Sequence, residues 1–461
     1  MFIHWLTIED VLAIKKYISD EQWYVPASVN TLRIIFNTTP HAWYNKTHLI
    51  YTLVLGEKCS RQNIANLVKH GIPGSMIYKD IRYNKINAIV VVIPANFSST
   101  LRGLSQCVRD VVPGILPDES NINTYMNLEH PPLVKYLIGL SILLGSLNNF
   151  YWRLPSIIAG FIIIIVVAII LHMLSRRLIA LYLLSMTILV ASIIYDETFR
   201  SMTSIAMLDV FVSLFTMLSL LFMMSDRILL SSIMVGLAGS SKMTGFFAIP
   251  WLYVVLRLKG YTVSRAIRYS ILVPLLVYLI VNMPLIIYYG PQSWLNELYS
   301  ALKWHITSRP PGPPSTDPLG LILSRNPFPL YYLDGIVYLI ARCNPGICVT
   351  AFVVSWLSII IMLDFIARRL LGYRWMLGRE YYPLILYVSI WLGYLGVYLA
   401  GNHTLYSFYT IHFQPLGALI VALMPHYLNE YLVRPFSSLA FLITNMRKVV
   451  KAYTRIRELS P

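Results

Sequence analysis

Long apolar runs dominate the chain after residue 150, with short polar punctuation and little period-2 alternation. Nine of them are long enough, or nearly so, to read as membrane helices: 154–174, 178–195, 203–225, 228–240, 244–258, 269–289, 345–367, 382–400 and 404–424. Crossing a hydrocarbon core of roughly 30 Å takes about 20 mostly apolar residues. The run 228–240 is short, and the pattern predicts a break near Gly239. Residues 133–149 hold an uninterrupted apolar stretch of only about 12 residues, or about 18 Å, which predicts an interfacial helix. The segment 47–115 has another rhythm: a strand-like THLIYTLVLG, a polar helix-like SRQNIANLVKHG, a strand-like NAIVVVIPA, then SSTLRGLSQCVRDVV. Such alternation predicts a small α+β unit.

These boundaries divide the chain into five regions. They are an N-terminal outer segment 1–46, the α+β insertion 47–115, a loop and interfacial helix 116–153, a helical core 154–428 containing an outer loop 290–344, and a basic tail 429–461. Residues 1–19 contain neither a long apolar stretch nor the charged and apolar regions of a signal peptide. The Arg-Pro-Pro-Gly-Pro-Pro run at 309–314 reads as a stiff surface loop.

Composition fits this picture. The chain is 57% hydrophobic and 13% charged, and its mean hydropathy is +0.62, which excludes an ordinary soluble enzyme. The net charge of +16 does not form one nucleic-acid-binding patch. Instead the basic residues collect between apolar runs, at Arg176-Arg177, Arg227, Arg257 to Arg268, Arg368 to Arg379 and Arg447 to Arg457. The positive-inside rule makes these loops cytoplasmic. By parity, 1–153, 196–202, the junction at 241–243, 290–344 and 401–403 lie outside. Sequons at Asn37, Asn45, Asn96 and Asn402 all fall on that outer side. Four cysteines are too few for a disulfide scaffold and lack zinc-site spacing; they read as incidental, with Cys59 and Cys107 able to bridge.

Chemistry-bearing residues gather on the outer side. Asp20-Glu21 precedes Trp23-Tyr24; Asn127-Leu128-Glu129-His130-Pro131-Pro132-Leu133-x-Lys135 precedes the interfacial helix; Arg153 stands before the next apolar run. Ionisable groups at a membrane are candidate functional groups because burying them is expensive. Asp-Glu ahead of a helix also serves as an N-cap, and Arg153 and Lys242 are equally placed to snorkel at helix ends. Asp118-Glu119 and Asp196-Glu197 are competing acidic pairs. His403 and His412, with Tyr406 and Tyr409 between them, read as an aromatic belt at one end of a late helix. No H-E-x-x-H, Walker loop or G-x-G-x-x-G is present.

The order DE, E-H-P-P-L-x-K, R-L-P-S-x-x-x-G (Arg153 to Gly160), L-D (Leu208-Asp209) and G-L-A-x-S-S-K-x-T-G (Gly236 to Gly245) resembles the protein O-mannosyltransferases. These belong to the C-type glycosyltransferase superfamily, which includes the lipid A aminoarabinose transferases. Asn326-Pro327 and Tyr406 to Pro415 resemble later family elements more loosely. The resemblance implies an all-α polytopic membrane protein with the C-type glycosyltransferase fold, here carrying a small extracytoplasmic α+β insertion. It implies a polyprenyl- or dolichyl-phosphate-mannose donor, transfer to Ser or Thr hydroxyls of a protein on the extracytoplasmic side, and inversion at the sugar carbon. Asp20 then matches the catalytic acid position, with Glu21 as its neighbour. His130, Lys135, Arg153 and Lys242 become donor-phosphate ligands, supported by Glu129 and Asp209. Asp209 is placed in the outer third of its helix, with pairing to Lys242 or Arg153 favoured over direct chemistry.

The lipid-linked sugar, the protein acceptor and membrane lipid are the expected partners, without nucleic acid. No metal ligand set is assigned, and a divalent metal requirement stays open. Two departures from the family stand out. The family places a membrane helix before DE, whereas only residues 1–19 precede it here, which leaves a start upstream of Met1 open. The insertion between DE and HPP is long, and 290–344 is too short for the β-trefoil of eukaryotic members. The insertion is expected to cover the active site and select the acceptor. Transfer to a lipid or cell-surface glycan, a secondary transporter, and a non-catalytic subunit are the alternative readings; the absence of paired repeats speaks against the transporter.

Overall fold

The computed structural model describes residues 2–175, 179–307, 314–373 and 377–458. Arg176-Arg177 and nearly all of the 309–314 run lie outside the described residues. In chain order the chain begins with α1 (Phe2–Ala13) and α2 (Glu21–Asn30), followed by the insertion: β1 (His48–Leu55), α3 (Arg61–Gly71), β2 (Met76–Ile77), β3 (Ala88–Pro94) and β4 (Val108–Pro113). The helical core follows as α4 (Leu133–Leu144), α5 (Asn149–Ser175), α6 (Ile179–Ile194), α7 (Glu197–Ser204), α8 (Asp209–Met224), α9 (Ile228–Ser241), α10 (Ile249–Leu258), α11 (Val263–Ile267), α12 (Val273–Tyr289), α13 (Pro291–His305) and α14 (Pro318–Leu323). A hairpin of β5 (Phe328–Leu333) and β6 (Ile336–Ala341) precedes α15 (Pro345–Leu370), α16 (Tyr382–Leu399), α17 (Gln414–Leu428) and α18 (Arg434–Glu458).

The insertion is an antiparallel sheet of order β2-β3-β1-β4. In β1 and β3 nearly every residue is buried, so both faces are covered. One face packs with α3 through Leu53, Val68, Val91 and Ile93, while Ile50, Val90 and Val92 of the other join the main core. Its edge is tied to the turn Thr31–Ile35 that follows α2, where Arg33 Nη2 meets Asp110 Oδ1 at 2.5 Å.

Five described helical segments are long and apolar enough to cross a membrane: Asn149–Ser175, Val263–Tyr289, Pro345–Leu370, Arg379–Leu399 and Gln414–Thr454. α6 and α7 make a sixth if their 60° bend joins one span. The run 228–240 forms α9 as read, 244–258 is divided between a 3-10 turn at Met243–Ala248 and α10, and 203–225 yields a shorter helix than the sequence pattern suggests. A 16-residue helix such as α8 spans roughly 24 Å. Residues 203–208 are the end of α7 and a bend, and the predicted break near Gly239 falls at Lys242, whose backbone is extended (φ −157°, ψ 142°). The run 404–424 is also divided: α17 begins only at Gln414, after a 3-10 turn at Ser407–His412. The hairpin β5–β6 has no counterpart in the sequence reading.

The segments assigned outside by parity converge on one end of the array. Thr198 N donates to Arg342 O and Asn402 Nδ2 to His305 O, and Ala206 N, just beyond the 196–202 segment, donates to Glu21 Oε1. The basic loops meet at the other end, where Asp226 pairs with Lys259 and Arg379. Cys59 and Cys107 bridge as their sequence left open, whereas the Cys343–Cys348 bond departs from the expectation of incidental thiols. Cys59 is bonded to Cys107 and Cys343 to Cys348, with Cα separations of 5.8 and 6.5 Å. The second bond closes the hairpin onto the start of α15, and such bonds persist in oxidising compartments.

Candidate active site

Asp20 and Glu21 are adjacent in sequence but go to different environments. Asp20 is the N-cap of α2 and is partly exposed, whereas Glu21 is fully buried in the first turn. Glu21 Oε1 accepts from Arg153 Nε at 2.8 Å and from Ala206 N at 2.8 Å; Oε2 accepts from Arg153 Nη2 at 2.7 Å and Ile18 N at 2.9 Å. The Arg153 guanidinium is also fully buried and donates to the carbonyls of Val11, Ile14 and Lys16. A guanidinium has five N–H donors, and all five are used. Arg153, expected to hold a donor phosphate, therefore has no donor left for one, and Glu21 has no lone pair aimed at an acceptor. Together they fasten α1, α2, α5 and the α7–α8 bend.

Lys135 corrects the expectation in the same way. Its buried ammonium donates to Met126 O at 3.0 Å, Asn127 O at 2.5 Å and His130 O at 2.8 Å. Three donors meet three carbonyls, so the side chain shapes the loop ahead of α4 and does not face a phosphate. Within that loop Glu129 bonds to the Tyr125 hydroxyl and accepts from Asn127 Nδ2 at 2.8 Å. The His130 ring lies tilted 5.1 Å from that of His305, and Tyr24 approaches it edge-on at 6.0 Å. Glu129 also lines a narrow cleft with Leu128, Pro131, Tyr289 and Trp294.

Of the two pairings left open for Asp209, with Lys242 or with Arg153, the structure forms the one with Lys242. Asp209, expected in the outer third of its helix, is the first residue of α8 and is fully buried. Lys242 Nζ donates to its two oxygens at 2.9 and 3.0 Å, and His412 Nε2 lies 2.9 Å from Oδ1. The break after α9 is what turns Lys242 toward α8. Its ammonium also sits 4.5 Å above the centre of the Tyr409 ring, and Tyr394 stacks on both Tyr409 and His412 while its hydroxyl contacts His412 Nδ1. The expected aromatic belt is thus overturned for His412 and Tyr409, which are buried beside the charged pair; His403 alone stays exposed, packed on Tyr398.

Asp20 belongs to this second group. Tyr24 places its hydroxyl 3.4 Å from Asp20 Oδ2. Burial, then the charges of Asp20 and Asp209, push the Tyr24 phenol well above its ordinary value. The α2 start, the α8 start and Tyr409 consequently share one electrostatic neighbourhood. Beside it opens a cavity of about 250 Å³, walled by Lys242, Tyr394, Tyr409, His305, Asn402 and apolar residues such as Phe246 and Leu405. A mostly apolar concavity with a few convergent polar groups is the usual form of a small-molecule site. Among the described residues, no group of three or more His, Cys, Asp or Glu is arranged to hold a metal.

The competing acids are occupied elsewhere. Asp118 accepts from the backbone N–H groups of Asn84, Lys85 and Ile86, and Glu119 pairs with Lys85. Asp196 caps α7 by accepting from Phe199 N and also accepts from Asn344 N, while Glu197 pairs with Arg342. Sequence reasoning missed Tyr24, His305 and Tyr394 as members of the site. Only spatial convergence of α2, α13 and α16 marks them.

Residues 129–288 match the family model of dolichyl-phosphate-mannose-protein mannosyltransferase. The resemblance carried by the HPP, Arg153, Leu208-Asp209 and Gly236–Gly245 elements is therefore found independently over that segment. It contains α4 to α12 and both Asp209 and Lys242. No curated protein sequence matches the chain. Among solved structures, ArnT from Cupriavidus metallidurans in the apo state is 16% identical, with a TM-score of 0.40 over 64% of this chain and 49% of that one. The same protein bound to undecaprenyl phosphate gives 16% identity and a TM-score of 0.42, over 64% and 50%. The chain thus spans about half the length of ArnT in these structures.

Proposed function

We propose that the protein is a membrane glycosyltransferase that moves mannose from a polyprenyl-phosphate donor to Ser or Thr hydroxyls of proteins on the extracytoplasmic side. The observation that supports this reading is Lys242, paired with the buried Asp209, in the wall of an apolar cavity of about 250 Å³, with the Asp20 carboxylate acting electrostatically on the same group of residues through Tyr24. The family match over 129–288 supports the donor class.

In this reaction the acceptor hydroxyl oxygen attacks the anomeric carbon as the bond to the lipid phosphate breaks. The hydroxyl is a weak nucleophile, and Asp20 takes its proton as the new bond forms. The departing phosphate gains charge, which Lys242 opposes at the cavity wall; desolvation by the surrounding rings strengthens that interaction. Asp209 holds Lys242 in place and keeps it protonated before the donor arrives. Attack on the face opposite the leaving phosphate inverts the sugar carbon. In this reading the sheet insertion, tied by Asp110 to Arg33 in the turn that follows α2, selects the acceptor.

The test is transfer from polyprenyl-phosphate-mannose to a Ser/Thr peptide in membranes carrying wild type, Asp20→Asn or Asp118→Asn. Activity lost in Asp20→Asn and kept in Asp118→Asn is the expected result. Full activity in Asp20→Asn would remove the base assignment, and no transfer by folded wild type would remove the donor–acceptor pair.

A further inference from the structure

We propose that the cavity between α10 and α15, at the end opposite the candidate active site, binds the phosphate of an anionic phospholipid. It measures about 550 Å³ and is lined by Arg257 and Arg369 together with Tyr253, Tyr261, Met362 and Phe365. Among the described residues, none of those lining it is acidic. About 15 residues separate Lys242 from Arg257, roughly 22 Å at helical rise, so this is not the donor cavity seen from another side.

Charge arrangement makes the two arginines unusual. The neighbouring cations are matched: Lys259 and Arg379 share Asp226, and Arg368 pairs with Asp364. Arg257 donates from Nη1 to the Tyr261 carbonyl at 2.6 Å. Its other nitrogens have no carboxylate among the described residues, and neither does Arg369. Two guanidiniums from different helices facing one space form a ready cradle for a phosphate, which accepts their planar N–H pairs.

The rest of the lining favours a lipid over a free anion. Leu258, Met362, Phe365, Ile366 and Leu370 supply an apolar wall suited to acyl chains, and α15 is one of the segments long enough to span a membrane. Basic pockets between helices on the cytoplasmic side take anionic headgroups. α18 provides a second observation at the same end. It docks on α15 with the Arg368 guanidinium 3.8 Å above the Phe441 ring, and its outer surface exposes Phe436, Leu439, Ile443, Met446, Val450 and Tyr453, at alternating spacings of three and four residues. The exposed Arg447, Lys448 and Lys451 flank that stripe. An apolar stripe beside a basic one is the pattern of a helix lying in an anionic leaflet. The inference rests on the membrane reading and is independent of the proposed transfer.

The experiment uses the full chain in mild detergent, reloaded with phosphatidylglycerol or with phosphatidylcholine, with retained lipids counted by native mass spectrometry and melting temperatures recorded. Wild type should retain phosphatidylglycerol over phosphatidylcholine by on the order of tenfold, given two arginines at the headgroup. Arg257→Gln/Arg369→Gln should retain the two lipids equally, while Arg268→Gln, an exposed arginine outside the cavity, should keep the preference. Should the glutamine pair fail to fold, Arg257→Lys/Arg369→Lys should retain phosphatidylglycerol by a reduced factor, because lysine keeps the charge and loses the planar fork. An unchanged preference in either double variant overturns the proposal, as does equal stabilisation of wild type by millimolar inorganic phosphate, which would make this a free-anion site.

Discussion

Two buried ion pairs stand near each other at the same end of the molecule, and they are built differently. In Glu21–Arg153 every donor and acceptor is consumed: four bonds reach the carboxylate, and the guanidinium spends its remaining donors on three backbone carbonyls. In Asp209–Lys242 the carboxylate is shared with His412, the lysine sits over an aromatic ring, and its side chain forms part of a cavity wall. A buried pair that satisfies itself completely serves to fix chain geometry, whereas one that opens onto a cavity keeps charge available to a ligand. Ion pairing alone distinguishes nothing; the count of remaining valences does.

That contrast is easiest to break by substitution. The largest effect is expected for Asp20→Asn, which should lower transfer by about 10²–10⁴-fold while thermal unfolding of the purified protein stays that of wild type. Next is Arg153→Met, which strands the Glu21 carboxylate and should remove about 3–5 kcal/mol of stability, read as loss of monodisperse protein and a lower melting temperature. Arg153→Met/Glu21→Leu should be less destabilised than Arg153→Met alone, since the stranded charge is gone. A smaller stability effect but a clear functional one is expected for Lys242→Gln: donor binding should weaken and transfer fall, while Lys135→Gln should act on stability first. Comparable losses of stability and equal retention of donor binding in the two lysine variants would erase the distinction drawn here.

The smallest effect concerns pH. Partial burial of Asp118 opposes ionisation, yet the backbone N–H groups of Asn84, Lys85 and Ile86 outweigh it and hold the carboxyl below its ordinary value of 3.8. A carboxyl with a depressed folded-state value binds fewer protons folded than unfolded, so its contribution is present above about pH 4 and disappears as the pH falls through the folded value. The melting-temperature difference between wild type and Asp118→Asn should therefore be visible at pH 6 and close below about pH 4. A difference that persists into strong acid would mean that Asp118 acts through shape and not through charge.

Much of the architecture is legible in residue order because hydrophobic period and basic punctuation are local signals. They give the helical runs and the alternation of strand and helix in the insertion. The site is less legible because its meaning lies in partners far apart in sequence. Asp20 and Glu21 differ by one position, and only the start of α2 sends one to the rim and the other inward. Lys135 and Lys242 both read as lone cations near apolar runs, and nothing local reveals that one meets three carbonyls and the other a carboxylate. The late Tyr and His residues read as a surface belt because their spacing looks helical, whereas the 3-10 turn before α17 carries them into the interior. The hairpin β5–β6 escaped because its strands are short and sit inside a loop too brief for a recognisable domain.

Lys135 grips main-chain oxygens of Met126, Asn127 and His130, and every amino acid carries such an oxygen. The shape of this loop is consequently decoupled from the side chain it displays at Leu128, which forms part of the cleft wall with Glu129 and Pro131. That makes Leu128 an adjustable surface on a fixed mount, a position at which selection or engineering can reshape the cleft without renegotiating the fold around it.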